Sequence, residues 1–271
     1  KLYVDRKEGF IGYGLKKDEF VTDCSEIDDI IAFRKDGKFM VTRIAEKVFV
    51  GKNIIHVGVW KRGDERTTYH LIYVDGGTGK AYAKRFNVTS ITRDKEYDLT
   101  KGDKESKVLY FAAHPNGESE RVELQLTPGS SARNKVFDFY FEEQDIKGRG
   151  SIGNQVTKYP VKSVKFKEAG KSTLDAKKLW FDNKFGRLNT EEKGEYLGKF
   201  DAEDRLLVIY NDGNYEITDQ ELTQRFDTEK VLLLEKFDPG KIITAVYFDK
   251  EKLQYSVKRF RIETSTLHNK F

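Results

Sequence analysis

The sequence predicts an all-β protein built from small antiparallel sheets, and three observations carry that prediction. Its apolar segments are short, mostly five to eight residues, rich in Val, Ile, Tyr and Phe and bounded by Gly, Asn and Asp. They come in pairs joined by Asp-Gly or Asn-Gly, the strongest short hairpin signal. The turn glycines Gly37, Gly76 and Gly117 lie 39 and 41 residues apart, the period of a small antiparallel unit repeated in a propeller-like ring.

Taken in order, Gly9–Leu15 is a short glycine-rich and aromatic strand region. Residues 28–33 and 38–44 form a hairpin about Asp36-Gly37, and a further strand runs from Ile54 to Trp60. Tyr69–Val74 turns at Asp75-Gly76-Gly77 and returns as Lys80–Phe86. Val108–Phe111 is read the same way, turning at Asn116-Gly117 and returning as Val122–Leu126. Lys178–Phe181 approaches Gly186-Arg187-Leu188, Arg205–Tyr210 turns at Asp212-Gly213, and Ile242–Phe248 pairs with Leu253–Phe260. The segments Ala83-Lys84-Arg85-Phe86-Asn87-Val88 and Val257-Lys258-Arg259-Phe260-Arg261-Ile262 match closely, which predicts duplicated units with adjacent cations on equivalent strands. No long helical period is present. Aromatics at strand spacing, among them Phe33, Phe39, Trp60, Phe111, Phe166 and Trp180, are assigned to the core rather than to base stacking.

At 271 residues, with 38% hydrophobic and 13% aromatic side chains, the chain buries a full core, and 35% charged residues give it a heavily solvated surface. No apolar run reaches membrane-spanning length, and the start at Lys1 reads as a fragment of a longer protein. Cys24 stands alone in an acidic context that raises a thiol pKa. It forms no internal disulfide, and the spacing of the four histidines fits no metal motif, so a reducing compartment and no metal are expected.

The net charge is only +4, so a polyanion site requires charge gathered on one face. Residues 145–171 gather it, with seven bases against two acids. They open with Lys147-Gly148-Arg149-Gly150-Ser151-Ile152-Gly153, where glycines leave backbone amides unshielded beside cations, as suits a phosphate backbone. The alternation of Val161, Val164 and Phe166 with Lys162, Lys165 and Lys167 then predicts a basic strand. Residues 216–238 carry the opposite balance, −4.

Other chemistries fare worse. The 148–153 glycines fit a dinucleotide fingerprint, but that mechanism needs a helix starting there, and the β-branched, Pro160-containing continuation predicts a strand. Gly77-Thr78-Gly79-Lys80 lacks the upstream glycine of a phosphate loop and has Ala81 where a magnesium-binding hydroxyl belongs, so it is read as a turn. No nucleophile elbow is present, and paired acids such as Asp28-Asp29 suit solvated strand ends better than acid–base catalysis.

Asp28–Phe33 with Asp36-Gly37-Lys38 and Thr42-Arg43, the parallel Arg205–Val208 with Asp212-Gly213, and Lys147–Gly150 leading to Lys158–Ser163 together resemble one family. This is the C-terminal β-pinwheel of bacterial type IIA topoisomerase A subunits, those of DNA gyrase and topoisomerase IV. The resemblance covers nearly the whole chain and implies a single domain over residues 1–271, with five or six four-stranded blades in a ring or spiral. It implies non-sequence-specific binding and bending of double-stranded DNA on a basic rim, delivery of that segment to the N-terminal cleavage core of the same polypeptide, and an ATPase B subunit in the holoenzyme. The implied fragment is monomeric, cytoplasmic and nucleoid-associated, holds no cofactor and performs no chemistry, the parent being an ATP-dependent topoisomerase. The looser Lys147–Ser151 sequence, lacking the full glutamine, arginine and glycine box of gyrases, resembles topoisomerase IV more closely.

The phosphate contacts expected on one rim are Lys38, Arg43, Lys84, Arg85, Lys147, Arg149, Lys158, Lys162, Lys165, Lys258 and Arg259. The rival is a propeller-like protein-interaction scaffold whose cations only solubilise it, and an enzyme on a propeller is a more distant third. An exposed apolar patch favours the scaffold, and a deep pocket with convergent polar groups favours the enzyme.

Overall fold

The computed structural model describes every residue except Ala202 and Ser265, in two compact units, Lys1–Leu174 and Asp175–Phe271. In the first unit, β1 (Leu2–Asp5), β2 (Phe10–Gly12), β3 (Glu19–Thr22) and β6 (Val48–Phe49) form a sheet in the order β3-β1-β2-β6. The second sheet is β10-β5-β4-β7, from β4 (Asp29–Arg34), β5 (Lys38–Arg43), β7 (Ile54–Trp60) and β10 (Glu96–Asp98). The third contains β8 (Thr68–Val74), β9 (Ala81–Asn87), β11 (Lys107–His114), β14 (Ile146–Gly148) and β15 (Asn154–Thr157). The fourth is β13-β12-β16, from β12 (Glu118–Leu126), β13 (Val136–Tyr140) and β16 (Val161–Ser172).

The second unit holds two three-stranded sheets and a hairpin. These are β17 (Lys177–Asp182) with β18 (Arg187–Asn189) and β19 (Glu195–Phe200); β20 (Leu206–Tyr210) with β21 (Tyr215–Thr218) and β22 (Val231–Lys236); and β23 (Ile243–Asp249) with β24 (Gln254–Phe260). The all-β expectation is met: among the described residues the one helical element is a 3-10 turn at Phe141–Glu143. The resemblance implies five or six four-stranded blades. The described residues form seven sheets of two to five strands, of which two are four-stranded.

Why the central strands read as continuous apolar runs becomes clear from their packing. Alternate residues of a strand point to opposite faces. In β4, Ile31 and Phe33 enter one core while Ile30 and Ala32 enter another. In the third sheet, Leu71, Tyr73, Tyr82 and Phe86 join the first of these cores, and Ile72 and Ala83 pack on the opposite face with Val122, Leu124 and Phe141. The second unit repeats the device, with Leu206 and Val208 on one side of β20 and Leu207 on the other. Within each unit the sheets are therefore stacked, each inner sheet covered on both faces. Phe33 anchors the largest core, with ring centroids 4.7 Å from Tyr69 and 4.6 Å from Phe111. Each such ring contributes roughly 1.5–3 kcal/mol by burial.

Turn chemistry sets the registers. Gly37, at φ +81°, closes the β4–β5 hairpin, where a Cβ would lie 2.3 Å from Thr100 Cγ2. Gly77–Lys80 is a hairpin turn as expected, capped by Asp75, whose carboxylate accepts from the Thr78 amide at 3.2 Å and from its hydroxyl. One expected hairpin is corrected. The strand before Gly117 does not pair with the one after it: β11 pairs with β8, while β12 pairs with β13 and β16. Gly117, at φ +65°, instead carries the chain from the third sheet to the fourth, and its carbonyl accepts from the Thr173 amide. Phe166 is also corrected. It faces Val122 in register, next to a register shift between Arg121 and Val122, but is 59% exposed.

Candidate nucleic-acid interface

The glycine-rich basic loop leaves the sheet edge and returns to the same strand. β14 runs parallel to β9, with Lys147 opposite Phe86, and β15 runs antiparallel to it, with Asn154 opposite Ala83. The loop between them therefore arches over Lys84. No helix follows Gly153, so the glycines lack the helix N-terminus that a dinucleotide site requires.

Lys84 lies beneath this loop and Arg85 on the opposite face of β9, and neither is on a surface. They are 3% and 2% exposed, which corrects their expected role as phosphate contacts. Both faces of β9 are covered by neighbouring sheets, so a cation there must find partners inside the protein. The Lys84 ammonium donates to the carbonyls of Arg149 at 2.9 Å and Ser151 at 2.7 Å. Desolvation pulls its pKa down to about 7, against a smaller upward pull from Asp98.

Arg85 organises a second cluster. Its Nε–H donates to His70 Nε2 at 2.9 Å, and its Nη2 donates to Gly117 O at 3.2 Å and Thr173 Oγ1 at 2.9 Å. Because guanidinium only donates, His70 Nε2 must accept, so the ring proton sits on Nδ1 and is donated to Glu120 Oε2 at 2.8 Å. His114 Nε2 lies 2.5 Å from the same carboxylate oxygen. His70, His114 and Glu120 have metal-like proximity. The neutral His70 ring nevertheless has a single lone pair, and Arg85 occupies it, so the arrangement is a charge network and not a metal centre.

This network makes the fold sensitive to acid. Desolvation lowers His70 to about 4, outweighing the upward pull of Glu120. Desolvation pushes Glu120 up, but the hydrogen bond from His70 and the His114 ring against its carboxylate together outweigh it and hold Glu120 at about 2. The unfolded chain then binds a proton at His70 near pH 6.5 that the folded chain refuses until about pH 4. Stability present above pH 6.5 is therefore expected to be lost as pH falls through that window, by on the order of 3 kcal/mol, with Glu120 extending the loss below pH 4.5. Urea midpoints at pH 7 and pH 4.5 measure it, and equal midpoints would show that the network does not titrate this way.

The other expected cations lie nearer the surface. Lys147, Lys158, Lys162 and Lys165 are exposed, along the loop, the β15–β16 connection and β16. Arg149 is half-buried, its Nη1 donating to Ser90 O at 2.7 Å and its guanidinium 4.7 Å from the centre of the Tyr97 ring. Lys38 pairs with Glu96 at 2.8 Å, and Arg43 shares Asp29 with Arg93, so part of their charge is neutralised locally. Lys258 and Arg259 are exposed on β24 in the second unit.

Two residues that the sequence reading left out join the loop. Tyr97 on β10 lies beneath Arg149, and the Lys95 ammonium is 5.5 Å from the same ring. Lys95 two positions before an aromatic was the available signal, but only the fold brings it to a loop more than fifty residues away. Gly148 and Gly150 have nothing within 4 Å of a would-be Cβ and no positive φ, whereas a Cβ on Gly153, at φ +90°, would lie 2.4 Å from Ala83 O. The arrangement therefore offers an arch with inward carbonyls, open glycine backbone, an exposed Lys147 and a half-buried Arg149. It contains no nucleophile paired with a base.

Over 168 residues the chain is 27% identical to the A subunit of DNA topoisomerase 4 from Borreliella burgdorferi, covering 62% of this chain and 25% of that protein. It thus spans about a quarter of the relative's length. Among solved structures, the C-terminal domain of DNA topoisomerase IV is similar over 85% of this chain and 90% of that one, at 11% identity and a TM-score of 0.39. The DNA gyrase A C-terminal domain is similar over 86% and 92%, at 13% identity and a TM-score of 0.27. The family described as Topoisomerase C-terminal domain, Bacteroidota, matches residues 1–168 and 187–271, nearly the whole chain, and the protein belongs to that family.

Proposed function

We propose that residues 1–271 act as one accessory DNA-binding domain of a type IIA topoisomerase, gripping double-stranded DNA without regard to sequence. The observation that carries this reading is the arched loop, with Lys147 and Arg149 beside the open backbone of Gly148 and Gly150. Amide donors and unspecialised cations together match phosphate oxygens and carry no base-reading geometry. Within the first unit Lys158, Lys162 and Lys165 extend the positive surface, with Lys38 and Arg43 as weaker contributors because carboxylates already engage them, and Lys258 and Arg259 are further phosphate contacts offered by the second unit. The domain bends the duplex and passes it to the N-terminal cleavage core, working with an ATPase partner in the bacterial cytoplasm. Topoisomerase IV is the closer parent type.

The affinity of the chain for a duplex of roughly 40 base pairs, measured at several salt concentrations, tests this reading. Replacing Lys147 and Arg149 together by Ala is expected to weaken unrelated sequences alike and lower the salt slope by about 2. Negligible binding by the parent chain at low salt would overturn the reading.

One observation favours the protein-scaffold alternative. On β23–β24, Val246 pairs with Val257 and Phe248 with Tyr255, giving one face of a two-stranded sheet with exposures of 67%, 68%, 47% and 79%. A two-stranded hairpin is marginal alone, so this apolar face suits contact with another protein segment. Alanine at Val246 and Val257 tests whether it serves DNA: unchanged DNA affinity removes the face from the DNA site, and lowered affinity removes this support for the scaffold.

A further inference from the structure

We infer that Lys84 is a positioning residue for DNA, a buried cation whose bonds to Arg149 and Ser151 hold the loop 147–153 in its phosphate-binding arch. The inference deepens the DNA reading and rests on it.

The geometry supports this role from three sides. Lys84 lies on the strand to which both arms of the loop pair, directly under the arch. Its ammonium draws in the carbonyls at 149 and 151, while the Tyr73 hydroxyl donates to the carbonyl of Ile152 at 2.9 Å. Three carbonyls within four residues are thereby turned into the protein. A carbonyl facing a phosphate repels it, so removing these oxygens from the outer surface is what makes a glycine-rich loop attractive to an anion. The contacting cations gain as well. Arg149 is fixed at its backbone by Lys84 and at its side chain by Ser90 and Tyr97, so little rotamer freedom remains to be lost when phosphate arrives.

A buried ammonium is otherwise hard to rationalise in this fold. Lys84 costs stability by desolvation, as its pKa of about 7 reflects. A lysine stem that served packing alone would be better replaced by Met or Leu. The cost is offset by the two carbonyls, which no apolar residue at this position can engage.

The test compares Lys84→Met with the parent, using duplex DNA as the probe and the complete 271-residue chain. Met fills the same volume, and thermal unfolding establishes that the variant folds. Hydrogen exchange without DNA is expected to rise at the amides of residues 148–153 and to stay unchanged at β4 and β8. The DNA affinity is expected to fall by about the same factor as in the Lys147→Ala/Arg149→Ala variant. Added to that variant, Lys84→Met is expected to cost less than about twofold more, since all three changes act through one loop. Lys84→Gln, which retains N–H donors without charge, is expected to recover part of the protection.

Unaltered exchange in the loop would overturn the anchoring role, whether or not the chain binds DNA. Additive losses would show that Lys84 acts on DNA other than through the arch, which also overturns the inference. If the parent chain fails to bind DNA, the DNA reading falls, and the exchange result still decides what Lys84 holds.

Discussion

Glu120→Ala is expected to destabilise the first unit by about 3–5 kcal/mol, the cost of removing one partner from a buried charge network. The Glu120 side chain is 1% exposed and accepts from His70, with His114 also against it. Its loss leaves the Arg85 guanidinium, 2% exposed, without the carboxylate that balances it across the His70 ring. The effect should spread, because this cluster ties together strands of two sheets: His70 on β8, Arg85 on β9, His114 on β11 and Glu120 on β12. For a unit of this size the melting temperature should fall by about 6–20 °C. Glu120→Gln, which keeps an acceptor for His70 but no charge, should lie between the variant and the parent. A loss of less than about 1 kcal/mol for Glu120→Ala would show that Arg85 is satisfied by the Gly117, Gln144 and Thr173 oxygens alone.

Much of the fold was legible from local patterns, and the misses share one physical origin. Hairpins closed by Asp36-Gly37, Asp75-Gly76 and Asp212-Gly213 form as read, because turn chemistry and apolar runs agree there. At Asn116-Gly117 the same local signal is present, but β11 gains more from β8, pairing from Lys107 to His114, than from its chain neighbour. The matched segments around Lys84-Arg85 and Lys258-Arg259 teach the same lesson about the site. Their sequences are nearly alike, yet the first pair is buried and the second exposed. What differs is covering: β9 lies between two cores and is paired along both edges, whereas among the described residues β24 pairs with β23 alone. A strand's sequence does not specify how many sheets will cover it. The loop 147–153 was legible because glycines and cations are adjacent in the chain, but its floor at Lys84, Tyr73 and Tyr97 was not, since those residues come from three separate strands.

The glycines of the loop are expected to divide sharply on substitution. Gly153→Ala forces a left-handed residue to carry a Cβ, placed 2.4 Å from Ala83 O and 3.0 Å from Lys84 Cβ. Backbone atoms cannot yield as a flexible side chain does, so the change should cost about 1–3 kcal/mol in strain and shift the loop off Lys84. Gly148→Ala with Gly150→Ala meets open space and no positive φ, so stability should be unchanged or rise by up to about 1 kcal/mol as the unfolded chain loses freedom. On the proposed binding mode DNA affinity should nevertheless fall in this second variant, because each added methyl would stand beside an amide offered to a phosphate oxygen. A fold that does not need glycine at 148 and 150, combined with binding that does, would separate function from architecture within six residues of chain. Equal affinity in the double alanine variant would instead leave the cations Lys147 and Arg149 as the loop's whole contribution to DNA, with the backbone as mere support.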